Sequence, residues 1–208
     1  MEVECKYCRQ VLLGIVCFSN PFWLVQGVHA LISFYIEDGT MTDFSMFHPF
    51  PSNIIQSIGK DQKGRIWVGT QGSGIIRIDE NNEIYNITDE NGLPSNFILE
   101  LTVDDEKNIW IGTLSGGAAR YGGDAFTYYT DESCLKNNFV YTLLEDSGAI
   151  WIGTGDGITI SENGNFSYLN REHGLADNQI YSMLKDKSGL IWVGTYRGVS
   201  ILENREVL

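Results

Sequence analysis

The sequence predicts an all-β fold, a β-propeller assembled from four-stranded antiparallel blades of about 41 residues. Three observations carry that expectation. Trp-(Ile/Val)-Gly-Thr occurs four times, at Trp67, Trp110, Trp151 and Trp192, with spacings of 43, 41 and 41 residues. Around each copy stand short β-branched and aromatic runs broken by Gly, Asn and Asp clusters, the signature of strands joined by tight turns. Beyond the N-terminal region, no useful window shows apolar residues at helical spacing.

Each unit reads in the same order. An asparagine comes first (Asn53, Asn96, Asn138, Asn178), and eight residues later an aspartate (Asp61, Asp104, Asp146, Asp186). The apolar stretch between them, such as Phe139-Val140-Tyr141-Thr142-Leu143, is the innermost strand, a. The aspartate opens a turn: its carboxylate can accept from the backbone two residues on, and Gly64 can take a positive φ. The Trp segment follows as strand b. In Ile66-Trp67-Val68-Gly69 alternate side chains face opposite ways, and all are apolar or small, so both faces are expected to be buried between neighbouring blades. Gly69 leaves room for an adjacent backbone or ring. A Gly-led strand c (Gly157-Ile158-Thr159-Ile160) and an aromatic strand d (Phe166-Ser167-Tyr168-Leu169) complete the unit. The recurrent residues Trp67, Trp110, Trp151, Trp192, Asp61, Asp104, Asp146 and Asp186 are therefore read as structural.

An up-and-down meander gathers the b–c loops and the d-to-a connections at one end and the Asp turns at the other. The b–c loops repeat a frame but not its contents: Thr70-Gln71-Gly72-Ser73-Gly74, Thr113-Leu114-Ser115-Gly116-Gly117, Thr154-Gly155-Asp156-Gly157 and Thr195-Tyr196-Arg197-Gly198. Positions that differ inside a repeated frame are free of the demands of the fold, which makes Gln71, Ser115, Asp156, Tyr196 and Arg197 the candidate ligand contacts. An aromatic ring beside a guanidinium can stack on and hydrogen-bond a sugar or carboxylate. His173, in a d–a connection, belongs to the same end.

Residues 1–30 differ in character. Lys6 and Arg9 precede the apolar run Val11–Phe18, and Val28-His29-Ala30 has the small-residue pattern of a cleavage site. This segment is expected to be a signal peptide or signal anchor, giving a periplasmic or extracytoplasmic location. Three of the four cysteines lie inside it, leaving Cys134 as the one beyond. The net charge of −13 argues against nucleic acid as a partner. No Gly-x-Ser-x-Gly, His-Glu-x-x-His or phosphate-loop pattern occurs, and the histidines are scattered, so no catalytic residue, cofactor or metal site is expected. Glu100 is the one carboxylate that interrupts an inner strand outside the recurrent pattern.

Taken together, Asn-x7-Asp-x-x-Gly-x-Ile-Trp-Ile-Gly-Thr-x-x-Gly closely resembles the two-component regulator propeller repeat, with its fullest copies at 92–121 and 174–202. The resemblance implies the sensor region of a hybrid two-component system, propeller repeats held in the periplasm and tied to a histidine kinase or other output domain, in a longer chain or separate. It also implies carbohydrate fragments as ligands and a structural role for the motif residues. The units are placed at about 49–90, 91–132, 133–172 and 173–208, with 31–48 as an orphan outer strand and linker. The fourth unit is expected to lack an aromatic strand d, so the propeller is read as incomplete. The expected function is non-enzymatic ligand sensing. The alternatives are a lyase or glycosidase on a propeller scaffold, or a purely structural interaction platform.

Overall fold

The computed structural model describes residues 54–208 apart from Gln62 and Asn82, together with four short strands nearer the N-terminus. Those four, β1 (Ile15–Val16), β2 (Phe22–Val25), β3 (Ile32–Tyr35) and β4 (Met41–Asp43), pair in sequence order into an antiparallel sheet within a compact unit spanning Met1–Ile55. The 31–48 segment thus contributes β3 and β4 to that sheet. The rest of the expected signal segment lies outside the described residues.

The second unit, Gln56–Leu208, holds the blades. Blade one is β5 (Ile55–Lys60), β6 (Ile66–Thr70), β7 (Ile75–Ile78) and β8 (Ile84–Ile87). Blade two is β9 (Ile98–Val103), β10 (Ile109–Thr113), β11 (Ala118–Tyr121) and β12 (Phe126–Tyr129). Blade three is β13 (Val140–Asp146), β14 (Ala149–Thr154), β15 (Gly157–Glu162) and β16 (Asn165–Leu169). Blade four is β17 (Ile180–Lys185), β18 (Ile191–Thr195), β19 (Gly198–Glu203) and β20 (Glu206–Val207). Each is a four-stranded antiparallel meander, so the fold is all-β and built of propeller blades. The fourth blade does have an outer strand: β20 is two residues long and non-aromatic, which is why an aromatic signature missed it. Among the described residues no helix is long and apolar enough to cross a membrane.

Three apolar clusters separate the four blades, each built on one tryptophan. Trp67 and Ile75 pack against Leu93, Ile98 and Ile111 of blade two. Trp110 and Ala118 pack against Leu135, Val140 and Ile152 of blade three. Trp151, Ile158 and Ile160 pack against Leu175, Ile180 and Val193 of blade four. The leucine of each Gly-Leu (or Cys-Leu) connection is buried there, so the connection that carries the chain between blades also seals their interface. Burying a side chain of this size stabilises by about 1.5–3 kcal/mol, and the interfaces supply this repeatedly.

The glycine of each Trp-x-Gly-Thr is a socket. A Cβ on Gly69 would stand 2.6 Å from Ile98 Cγ2, one on Gly112 2.9 Å from Val140 Cγ1, and one on Gly153 2.8 Å from Ile180 Cγ2. The close approach expected at Gly69 comes from a β-branched side chain two residues after the next asparagine, not from backbone or a ring.

Candidate functional site

The loop end of the blades is held by one asparagine used twice. Asn96, Asn138 and Asn178 each accept on Oδ1, at 2.9 Å, the amide seven residues earlier (Asp89, Asp131, Arg171), which fixes the connection from the previous strand d. Their main-chain carbonyls accept from the b–c loop of the preceding blade: Gly72 and Gly74 donate to Asn96, Gly117 to Asn138 and Gly157 to Asn178. The threonine of each Gly-Thr closes its own loop by donating to the glycine carbonyl that opens strand c, at 2.7–2.9 Å. The b–c loops and the d–a connections therefore share one end, as the meander requires. The residues left over between these fixed points are displayed on a rigid frame.

On that frame the candidate residues divide. Tyr196 is 68% exposed, and Ser115 is also exposed. Arg197 lies beside Tyr196, its Nε 3.2 Å from Asp177 Oδ2, so one side of the guanidinium is held while most of it faces solvent. Asp156 accepts from Asn178 Nδ2 at 2.7 Å, a bond between blades three and four. Gln71 meets Gln56 at 3.5 Å. His173 ends a single 3₁₀ turn, Arg171–His173, with Nδ1 2.6 Å from Asn170 Oδ1. Asp156 and His173 thus have architectural partners, while Tyr196, Arg197, Ser115 and Gln71 sit on the displayed surface.

Sequence reasoning missed a set of aromatics on the inner strands. Phe97 and Phe139 directly follow their asparagines and are exposed, and Tyr181, three residues after Asn178, is exposed as well. Tyr141 is half-buried and meets Tyr181 with ring centroids 5.4 Å apart and planes at 58°. The available signal was their position: one and three residues after the asparagine, flanking the buried Ile98, Val140 and Ile180 that fill the sockets.

Beside these lies Glu100. Ser57 Oγ donates to its Oε1 at 2.8 Å, and the Leu101 amide donates to Ser57 Oγ at 3.0 Å, joining the inner strands of blades one and two. Burial raises the Glu100 carboxyl above its ordinary value, and the bonds from Ser57 and Leu101 pull the other way. At the opposite end, a cleft of about 150 Å³ between the turns of blades one and two is lined by Lys63, Arg65, Lys107, Asn108 and Tyr121. Among the described residues no group of three or more His, Cys, Asp or Glu side chains is placed to hold a metal.

The aspartates of the turns do more than shape the chain. Asp61 Oδ1 accepts from the Lys63 and Arg65 amides, and its Oδ2 accepts from Arg65 Nε at 2.6 Å and from the Trp67 indole at 2.9 Å. Asp104 accepts the Trp110 indole at 2.8 Å and Asp186 the Trp192 indole at 2.8 Å. In blades one, two and four an aspartate is tied to the tryptophan six residues on, and in all four copies the Gly-Thr follows. The two component regulator propeller pattern matches this motif at residues 49–72, 92–115, 134–156 and 174–197. The chain belongs to the two component regulator propeller family.

Solved structures carry the same fold. The extracellular domain of a hybrid two component system from B. thetaiotaomicron superimposes with a TM-score of 0.79 at 19% identity, covering 99% of this chain and 30% of that one. A second such domain from the same organism gives 0.69 at 24% identity, covering 88% and 26%. Virginiamycin B lyase from Staphylococcus aureus gives 0.75 at 16% identity, covering 93% and 67%. This propeller chain therefore spans less than a third of either extracellular domain. No curated protein sequence matches it.

Proposed function

We propose that this propeller chain is the ligand-sensing part of a two-component regulatory system, acting outside the cytoplasm and performing no reaction of its own. The carrying observation is the loop end: the Thr–Gly closure recurs in all four b–c loops and the asparagine contacts in three of them, and on this frame Gln71, Ser115, Tyr196 and Arg197 differ from blade to blade. The family and the likeness to extracellular domains of hybrid systems support the signalling role. The ligand is a carbohydrate fragment. The exposed rings of Phe97, Phe139, Tyr181 and Tyr196 offer flat apolar faces against which the C–H face of a sugar ring can stack, and Arg197 and Ser115 supply donors for its hydroxyls. Glu100 and His173, the groups best suited to proton transfer, are engaged with Ser57 and Asn170, which favours recognition over turnover. A histidine kinase or other output domain, in the same longer polypeptide or separate, receives the signal, and residues 1–30 deliver the sensor as a signal peptide or anchor.

Isothermal titration calorimetry against a panel of oligosaccharides tests this. At least one saccharide is expected to bind, with the double variant Tyr181→Ala, Tyr196→Ala weakening it tenfold or more. A folded protein that gives no heat with any member of the panel refutes carbohydrate sensing.

A further inference from the structure

The cleft between the Asp turns of blades one and two gathers cations in a chain whose net charge is −13. Lys63 and Arg65 line it from blade one and Lys107 from blade two. Donors on all three are unused. Asp61 also lines the cleft, but its two oxygens already accept from the Lys63 and Arg65 amides, Arg65 Nε and the Trp67 indole. The Arg65 guanidinium is thereby fixed by Nε, 5.6 Å from the Trp67 ring centroid, and its terminal nitrogens form no hydrogen bond among the described residues. The Lys63 and Lys107 ammonium groups have no carboxylate partner among the described residues. Glu106, the other acid of the lining, is 80% exposed, accepts from Asn108 and lies 4.0 Å from Arg120.

At Lys107 the turn departs from what the fold prefers. Lys107 stands three residues after Asp104, the place held by Gly64 after Asp61 and by Gly189 after Asp186, with φ of 75° and 89°. Lys107 takes the same left-handed conformation, at φ 69°, which a residue with a β-carbon adopts only under strain. A place suited to glycine thus carries a lysine, and that lysine lines the cleft. Blade three, by contrast, turns on Ser147-Gly148 and brings no cation there. The cationic cleft is therefore not a by-product of the repeat.

We propose that this cleft binds an oxyanion, a carboxylate, sulfate or phosphate group, with the Arg65 guanidinium and the Lys63 and Lys107 ammonium groups as donors. A planar guanidinium fixed on one side presents its remaining N–H groups to an oxyanion in a set geometry, and the flexible ammonium groups add charge-assisted bonds. Gly122 and Gly123 keep their part of the wall free of side chains, so the anionic group can belong to a larger molecule. The site is independent of ligand sensing at the loop end.

Isothermal titration calorimetry of the full chain at low ionic strength, with sodium sulfate, sodium phosphate and sodium glucuronate against a sodium chloride control, reads the result. At least one of the three is expected to bind one to one, and the tightest of them tells a tetrahedral oxyanion from a carboxylate. Lys107→Gly removes the ammonium and relaxes the turn. It is expected to weaken binding at least about tenfold, the loss of one hydrogen bond to a charged group, while the melting temperature holds or rises. Glu106→Gln, which takes a repelling charge from the lining, is expected to tighten binding. Lys187→Gln removes one positive charge from the exposed turn of blade four and is expected to change nothing. A folded chain that binds none of the three anions overturns the proposal. So does binding that Lys107→Gly leaves intact, and so does an equal loss in Lys187→Gln, which would trace the effect to net charge.

Discussion

In blade two the Trp110 indole donates to Asp104 at 2.8 Å, whereas in blade three the Trp151 indole, equally buried, has no acceptor among the described residues. One residue accounts for the difference. Asp61, Asp104 and Asp186 are each separated by three residues from the residue whose amide closes the turn back onto the carboxylate (Arg65, Asn108, Leu190). In blade three Asp146 pairs directly with Ala149, leaving a two-residue loop, Ser147-Gly148, with φ of 55° and 83°. Those angles are those of the tight hairpin turn favoured by strand twist. The shorter loop is a good turn, but it takes the carboxylate out of reach of the indole. Asp146 is instead paired with Lys185 of blade four. Blade three also holds the other buried side-chain group without a partner among the described residues, Thr159 Oγ1. The lesson is that one motif serves two separable tasks: the turn survives a deletion that abolishes the clamp.

The largest test of this contrast is to remove the aspartate. Asp61→Ala strips acceptors from the Lys63 and Arg65 amides, the Arg65 guanidinium and the Trp67 indole together. Since breaking a buried, hydrogen-bonded ion pair costs about 3–5 kcal/mol, denaturant unfolding is expected to show a loss of about 3 kcal/mol. Asp146→Ala, which removes a partly exposed ion pair, is expected to cost about 1 kcal/mol or less. Equal losses would mean that the clamp adds nothing beyond the turn.

A restoring change comes next. Inserting one glycine-flanking residue after Ser147 recreates the longer loop and offers Asp146 to Trp151. The gain of a buried hydrogen bond is expected to stabilise by about 1 kcal/mol, and the Trp151 indole proton should exchange more slowly with solvent. An unchanged indole exchange rate would show that loop length is not what separates the blades.

The smallest effect lies on the inner strands, where the position four after the asparagine is Ser57, Glu100, Thr142 and Ser182 in turn. Only blade two places a carboxyl there, and burial raises its pKa above 4.5. The folded state then holds this proton to higher pH than the unfolded chain does. Glu100 therefore contributes least to stability at neutral pH: its stabilising protonation is fully present below 4.5 and is lost as pH rises through the folded value. Glu100→Gln is expected to flatten the stability profile in that window, with unfolding followed from pH 4 to 7. A variant whose profile parallels the wild type would place the Glu100 carboxyl in solvent.

Much of this was legible in the sequence because it is repeated. The strands, their order, the Asp turn and the apolar burial of the Trp strand all follow from local alternation and turn chemistry, and they hold in blades one to three. The clamp was not legible, although the shortened spacing before Trp151 was, because a bond across a hairpin depends on side-chain direction that spacing alone does not give. The sockets were half legible: glycine announced a close approach, but the approaching Ile98, Val140 and Ile180 belong to the following unit. At the loop end the sequence marked Tyr196 and Arg197 by their difference from the frame. It passed over Phe97, Phe139 and Tyr181 because they lie inside a stretch whose apolar character looked like core. Trp192 shows the same limit from the other side, since its identity matches the other tryptophans and only the absence of a covering blade among the described residues sets it apart.

The glycine sockets carry a dynamic consequence. Because each interface is the same nearest-neighbour lock, cooperativity in this part of the chain is passed along like links rather than shared through a common centre. Among the described residues, blade two is gripped on both faces, by Ile98 in Gly69 and Val140 in Gly112, and so is blade three, by Val140 in Gly112 and Ile180 in Gly153. Hydrogen exchange is expected to be slowest in the strands of these two blades.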